Sequence, residues 1–245
     1  MYAAYICADR YRSYSDKSGG TMSQIAIDGP AGVGKSTAAK AVAKRLNFIY
    51  VDTGAMYRAV ALACLEKHIE LSNERAVEEC LKETSIDIRY HDRVQYIYMN
   101  DKNVSDDIRK EKVGNAASIV SKYKAVREHL VALQQRIASQ KDVIMDGRDI
   151  GTKVLPNADL KIYLNASSEC RAKRRYDELK AKGIECSLED IKNDIERRDH
   201  NDMTRKESPL MKAHDAIEIN TSCMCEKEVA DAVIDLFEKR KSEKK

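Results

Sequence analysis

The sequence predicts an α/β fold: a five-stranded parallel sheet with helices on both faces and a small antiparallel β insert. Three observations predict it. Short apolar runs alternate with helical stretches, the pattern of βαβ units. A glycine-rich turn follows the first apolar run and opens a helix, where parallel sheets bind ligands. Between Leu71 and Ser105 the alternation gives way to two β-rich runs joined by a short polar turn. The chain has 245 residues, 43% of them hydrophobic, enough to bury a core as one large domain or one domain with an insert.

Residues 1–21 stand apart. Tyr2, Tyr5, Tyr11 and Tyr14 alternate with Asp9, Arg10, Arg12 and Asp16 without period, no signal-like apolar stretch is present, and the segment ends in Ser18-Gly19-Gly20. They are expected to form a disordered extension without catalytic role, with the domain occupying residues 22–245. Gln24–Asp28 reads as the first strand, Ser36–Leu46 as a helix, Phe48–Val51 as the second strand and Gly54–Lys67 as a helix with Met56, Val60, Ala63 and Leu65 inward. Ile86–Tyr90 and Gln95–Met99 flank His91-Asp92-Arg93 as a hairpin, and Asn103–Ser105 adds a third short strand; the insert spans about 71–112. Val143–Met145, Leu160–Leu164 and Ala216–Ile219 supply the other core strands, and Cys225–Phe237 a last helix whose lysine-rich end suits a helix C-terminus.

Charge narrows the function. The net charge is +3, and the last eight residues carry that surplus alone, so the remainder is neutral on balance. That argues against a broad nucleic-acid or membrane surface. No apolar run approaches the ~20 residues of a membrane span. Seven cysteines, an odd count without a C-x-x-C pair, argue against a disulfide framework or zinc knuckle and fit a reduced, cytoplasmic setting. His68, His91, His129, His200 and His214 share no ligand-like spacing.

Gly29-Pro30-Ala31-Gly32-Val33-Gly34-Lys35-Ser36 matches G-x-x-x-x-G-K-[ST] in full and sits between a strand and a helix. Backbone N–H groups of such a loop and of the following helix turn, here through Thr37, point at phosphates. Lys35 supplies charge to the β- and γ-phosphates, and the Ser36 hydroxyl can ligate Mg²⁺. The motif predicts a nucleoside triphosphate, ATP or GTP. It leaves open a kinase, in which a bound molecule attacks the γ-phosphate, or a switch, in which water does. No guanine-reading N-K-x-D motif is present, whereas further arginines stand beside strand ends. Asp146 directly follows an apolar strand, the usual place for a carboxylate that organises Mg²⁺; Asp28 ends a neighbouring strand and could share the role.

Three further clusters carry a more specific signal. Asp52-Thr53-Gly54-Ala55-Met56-Tyr57-Arg58 follows the second strand, and Asp146-Gly147-Arg148-Asp149-Ile150-Gly151-Thr152 follows the third; Arg198-Asp199, Asp202, Arg205 and Pro209-Leu210 come later. With the phosphate loop and insert they resemble the bacterial cytidylate kinases, P-loop nucleoside monophosphate kinases, from Ser23 to about Lys239. The resemblance implies a P-loop kinase core, a monophosphate-binding region containing the insert, and a helical lid. It implies transfer of the ATP γ-phosphate to CMP or dCMP, Mg²⁺ as cofactor, and a monomer whose partners are ATP, CMP and dCMP.

By the same resemblance, Arg58, Arg148 and Arg205 contact the acceptor phosphate, for which arginine's planar fork is suited. Thr53, Gly54 and Tyr57 belong to the same acceptor region. Arg198 and Asp202 hold the ribose; with Arg205 they fall at i, i+4 and i+7, one face if the helix continues. Ser118, Arg127 and Asp149 read the base. Asp149 can accept from the exocyclic amino group of cytosine, while Arg127 and Ser118 can donate to N3 and O2. Uracil would set a carbonyl against Asp149 at a cost of about 1–3 kcal/mol, so CMP is expected over UMP. The lid is placed at Ser167–Ile184, with Ser167 as cap, Gly183 at the end and Ser187 capping the next helix. Arg171, Arg174 and Arg175 lie at i, i+3 and i+4 and are expected to close over ATP as catalytic residues beside Lys35, Arg148 and Arg205.

Overall fold

The computed structural model describes residues 22–92 and 94–243. The expected extension, residues 1–21, lies outside the described residues, as do Arg93 of the hairpin turn and residues 244–245. The chain runs β1 (Gln24–Asp28), α1 (Lys35–Leu46), β2 (Ile49–Asp52), α2 (Thr53–Glu66), α3 (Glu74–Lys82), β3 (Ile86–His91), β4 (Val94–Met99) and β5 (Lys102–Asn103). A 3₁₀ turn (Asp107–Arg109) precedes α4 (Glu111–Val120), α5 (Lys124–Ala138) and β6 (Val143–Gly147); a wide helical turn (Ile150–Val154) precedes β7 (Leu160–Asn165), α6 (Ser168–Ala181), α7 (Leu188–Thr204), β8 (Ile217–Asn220) and α8 (Glu226–Glu243).

The five core strands form one sheet in the order β2-β6-β1-β7-β8, parallel throughout. Alternation within each strand divides the core. Ile25, Ile27 and Ile144 pack with α1 and α8, including an edge-on contact between Phe48 and Phe237. Ala26, Val143 and Met145 face α2, α4 and α5 on the opposite side. Successive side chains on a strand point to opposite faces, so helices must cover both.

The register sets the site. Asp52 lies opposite Asp146, and Asp28 opposite Gly147, so three carboxylates end adjacent strands at the same edge. Farther along the same edge, Asn165 pairs with Asn220.

The insert departs from its expected all-β character. It begins with α3, capped by the Asn73 side chain on Ala76 N–H and burying Val77, Cys80 and Leu81 at helical spacing. The sheet proper is the antiparallel set β3-β4-β5. Its third strand ends at Asn103, two residues before the expected end, because the Asn103 carboxamide accepts from both the N–H and hydroxyl of Ser105 and turns the chain. The insert docks through Gln95, whose side-chain carbonyl accepts from Asp52 N–H at 2.8 Å, and through Tyr90, whose hydroxyl donates to Tyr50 carbonyl.

Ser167 and Ser187 cap α6 and α7, accepting from Cys170 and Asp190 N–H. The expected continuous face Arg198, Asp202, Arg205 is corrected at its last member. Helix α7 ends at Thr204, and Arg205 is extended (φ −62°, ψ 143°). Leu210 N–H returns to Asp202 carbonyl, and Arg205 Nε donates to Ser208 carbonyl, so the chain folds back before Pro209 instead of adding another turn.

Candidate active site

The phosphate loop links β1 to α1. A Cβ on Gly29 would lie 2.2 Å from the Leu164 carbonyl oxygen, so only glycine lets the loop leave β1 against β7. Gly34 caps α1 at φ 93°, with no side chain spent on the helix N–H groups and no acidic residue in the first turn. Those N–H groups and the helix dipole therefore make an anion site. Lys35 is buried, and its ammonium donates to Pro30 carbonyl at 2.6 Å. Burial, and then Arg148, push its pKa down to about 7. An incoming phosphate would favour the charged form.

Ser36 donates to Asp146 Oδ2 at 2.8 Å, and the Tyr50 hydroxyl donates to Oδ1 at 2.8 Å. Thr53 Oγ1 donates to the Asp146 carbonyl, tying the start of α2 to β6. Burial, and next Asp52, raise the Asp146 pKa above the usual carboxylate range, which a cation beside it would reverse. Asp28 plays a different part. Both of its oxygens accept from main chain, Ile150 N–H and Gly151 N–H, each at 2.7 Å, and this fixes the turn after β6. Among the described residues no cluster of three or more His, Cys, Asp or Glu could hold an ion by itself. Ser36 and Asp146 instead offer two hard oxygen donors beside the phosphate loop, a donor set that fits Mg²⁺ shared with a phosphate and water.

Across the strand ends lies a cleft lined by arginines. Arg127, from α5, pairs with Asp149 Oδ2, donates to Ser121 carbonyl at 3.1 Å, and stacks over Tyr57. The Arg205 side chain is 5% exposed and stands 3.8 Å from Asp149 Oδ1 and 3.6 Å from Asp202 Oδ1. Arg148 Nε donates to Asp202 Oδ2 at 2.8 Å. Burial opposes the Arg148 charge, but Asp202, with Asp199 and Asp146, holds the pKa up. Two buried guanidinium nitrogens, Arg127 Nε and Arg205 Nη2, have no hydrogen-bond partner among the described residues. Buried polar groups are normally satisfied, so these donors mark a place where a polar ligand belongs.

Arg58, on α2, completes the cleft: Nη1 donates to Ile108 carbonyl at 3.1 Å. Burial, followed by Arg109, lowers its pKa, and Arg198 and Arg148 act in the same sense. Gly54 occupies the first turn of α2, which Asp52 caps through Ala55 N–H. Ser118 lies half-buried on α4. Arg198, on α7, reaches over to Asn115 Oδ1 on α4 at 2.7 Å.

The three arginines of α6 separate. Arg171 is buried, pairs with Asp199 at 2.6 Å and donates to Ala31 carbonyl in the phosphate loop at 2.9 Å. Asp199 also accepts from Ala31 N–H, so α6 and α7 clasp the loop from both sides of one residue. Arg174 donates to Thr221 carbonyl after β8. Arg175 is exposed and pairs with Glu178. Asn115, Tyr50, Arg109 and Thr221 join the site without any signal in the sequence. Their partners lie far along the chain, and no local motif marks such contacts.

Comparison with known proteins assigns the family. The sequence model of the family described as cytidylate kinase matches residues 25–239. A cytidylate kinase of Geobacillus sp. is 48% identical over 89% of this chain and 97% of its own length. That of Listeria innocua is 51% identical over 88% and 96%, and that of Bacillus subtilis 46% identical over 88% and 96%. The family model spans nearly all of the described residues, and the chain belongs to the cytidylate kinase family.

Proposed function

We infer the working of the cleft as follows. The chain is a (d)CMP kinase, which transfers the γ-phosphate of ATP to CMP or dCMP and releases ADP with CDP or dCDP. The observation that carries the acceptor assignment is the set of buried guanidinium groups at the strand ends, two of whose nitrogens lack a hydrogen-bond partner among the described residues.

Gly29 to Thr37 hold the ATP phosphates by main-chain N–H groups, and Lys35 leaves Pro30 carbonyl to meet the β- and γ-oxygens. Ser36 and Asp146 hold Mg²⁺, which when bound neutralises charge on the phosphate oxygens. Arg58, Arg148 and Arg205 hold the acceptor phosphate in line. One acceptor oxygen forms a bond to the γ-phosphorus as the bond to the β,γ-bridging oxygen breaks, and the electron pair leaves with ADP. The acceptor oxygen is already anionic, so no general base is needed. Arg198 and Asp202 take the sugar hydroxyls. Asp149 accepts from the cytosine amino group, while Arg127 and Ser118 donate to N3 and O2. Arg174 and Arg175 lie on the lid helix, where closure excludes water from the transfer.

Every residue assigned here belongs to one chain, and the proposed state is a monomer. No helix among the described residues is long and apolar enough to cross a membrane. Buried Cys64 and Cys80 are free thiols, consistent with a reduced cytoplasmic setting.

The test is a coupled ADP-release assay with ATP and Mg²⁺, comparing CMP, dCMP, UMP, AMP and no acceptor. Release that depends on CMP or dCMP is the expected result. Equal release without acceptor would identify a hydrolase or switch and overturn the acceptor assignments.

A further inference from the structure

We infer that Gly114 is a positioning residue for acceptor binding: its missing side chain leaves the seat in which the Arg58 guanidinium lies. This rests on the assignment of Arg58 to the acceptor phosphate.

Gly114 occupies the second half of the opening turn of α4, and its N–H donates to Lys110 carbonyl at 3.1 Å, an ordinary helical bond. Its backbone does not adopt the left-handed conformation that favours glycine. Glycine is a poor helix residue there, so the main chain supplies no reason for it. The reason lies across the interface with α2. A Cβ at position 114 would stand 3.0 Å from Arg58 Nη1, 3.2 Å from Nη2 and 3.3 Å from Cζ, the three nearest atoms beyond its own helix backbone and chain neighbours. The planar guanidinium lies against the glycine, and Nη1 also donates to the Ile108 carbonyl.

Adding a methyl group would move the fork by a few tenths of an ångström. Arg58 is the flexible end of a long side chain, so the fold can yield there. Its role is geometric, however: two parallel hydrogen bonds to phosphate oxygens depend on where the plane lies. Displacement of a positioning group by 1 Å can cost about 100-fold, so a smaller shift is expected to cost about three- to tenfold.

The substitution thus separates two effects of opposite sign. Gly114→Ala should leave the thermal midpoint unchanged or raise it by about 2–4 °C through helix propensity. It should also raise the KM for CMP about three- to tenfold, with the KM for ATP unchanged. The cycle with Arg58→Ala assigns the cause. If Gly114 acts through Arg58, adding Gly114→Ala to Arg58→Ala leaves the CMP KM within about twofold of the single variant. An unchanged CMP KM in Gly114→Ala, an equal rise in both backgrounds, or a fall in thermal midpoint together with a rise in both KM values would overturn the inference. An unchanged CMP KM in Arg58→Ala would overturn the assignment of Arg58 itself, and that result is distinct from a failure at Gly114 alone.

Discussion

On the proposed reading, the donor end and the acceptor cleft bind anions by different means. The donor end is mostly main chain: a loop, an uncapped helix start and one lysine resting on a carbonyl. The acceptor cleft is side chain: guanidinium groups from α2, α5, α7 and the turns after β6 and α7, several already paired with Asp149 or Asp202. Peptide dipoles carry partial charge and need no counter-ion, so a main-chain site can stand preformed. A full cation in a buried cleft needs a carboxylate nearby to offset desolvation. Acceptor binding must therefore rearrange existing ion pairs, whereas donor binding displaces one lysine contact. Specificity belongs on the side where side chains can be chosen one at a time.

Three changes bear on this comparison. The largest effect is expected from Lys35→Met. A donor end built from main chain should keep ATP affinity within about tenfold, while kcat falls about 10²–10³-fold, because the lysine acts on charge developed in transfer. Loss of ATP binding in parallel with kcat, by calorimetry and steady-state kinetics, would show that the loop alone does not hold the nucleotide.

Asp28 joins the two regions, since it ends the strand that feeds the phosphate loop and accepts from the turn carrying Arg148 and Asp149. Burial raises its pKa to about 6, against hydrogen bonds from Gly151 and Ile150 that lower it. Between the ordinary carboxylate value and about 6 the folded state binds more protons at Asp28 than the unfolded state. Its contribution to stability therefore falls as pH rises through that window and is level above it. Relative to Asp28→Asn, the parent should lose roughly 2 kcal/mol between about pH 4 and 6.5. Urea midpoints of both proteins across that range test it; parallel pH profiles would contradict it.

The same contrast explains what the sequence disclosed. The phosphate loop is contiguous, so its residues, its strand and its helix can be read together. The core strands are legible within a residue or two because β1, β2 and β6 are buried on both faces and read as apolar runs, while the edge strand β8 reads as an alternation. Helix α3 is hidden by its short length and by the β-rich segments after it; its signal is Asn73 followed by Val77, Cys80 and Leu81. Spacing alone puts Arg205 on a helix, and the turn formed by Ser208 and Leu210 ends that helix first. Arg171 illustrates the limit most clearly. Its spacing matches Arg174 and Arg175, yet its environment is the phosphate loop and Asp199, a contact that only the packing of α6 on α7 creates. Asn115 and Gly114 are invisible for the same reason: each matters through an arginine more than fifty residues away.

On the proposed reading, Asp149, with Arg127 beside it, selects cytosine. The most direct measurement is the ratio of kcat/KM for CMP to that for UMP in the parent and in Asp149→Ala. A parent ratio of about 5–100 is expected from one mismatched buried acceptor, falling toward unity in the variant. A variant that loses activity on both nucleotides but keeps the parent ratio would contradict it.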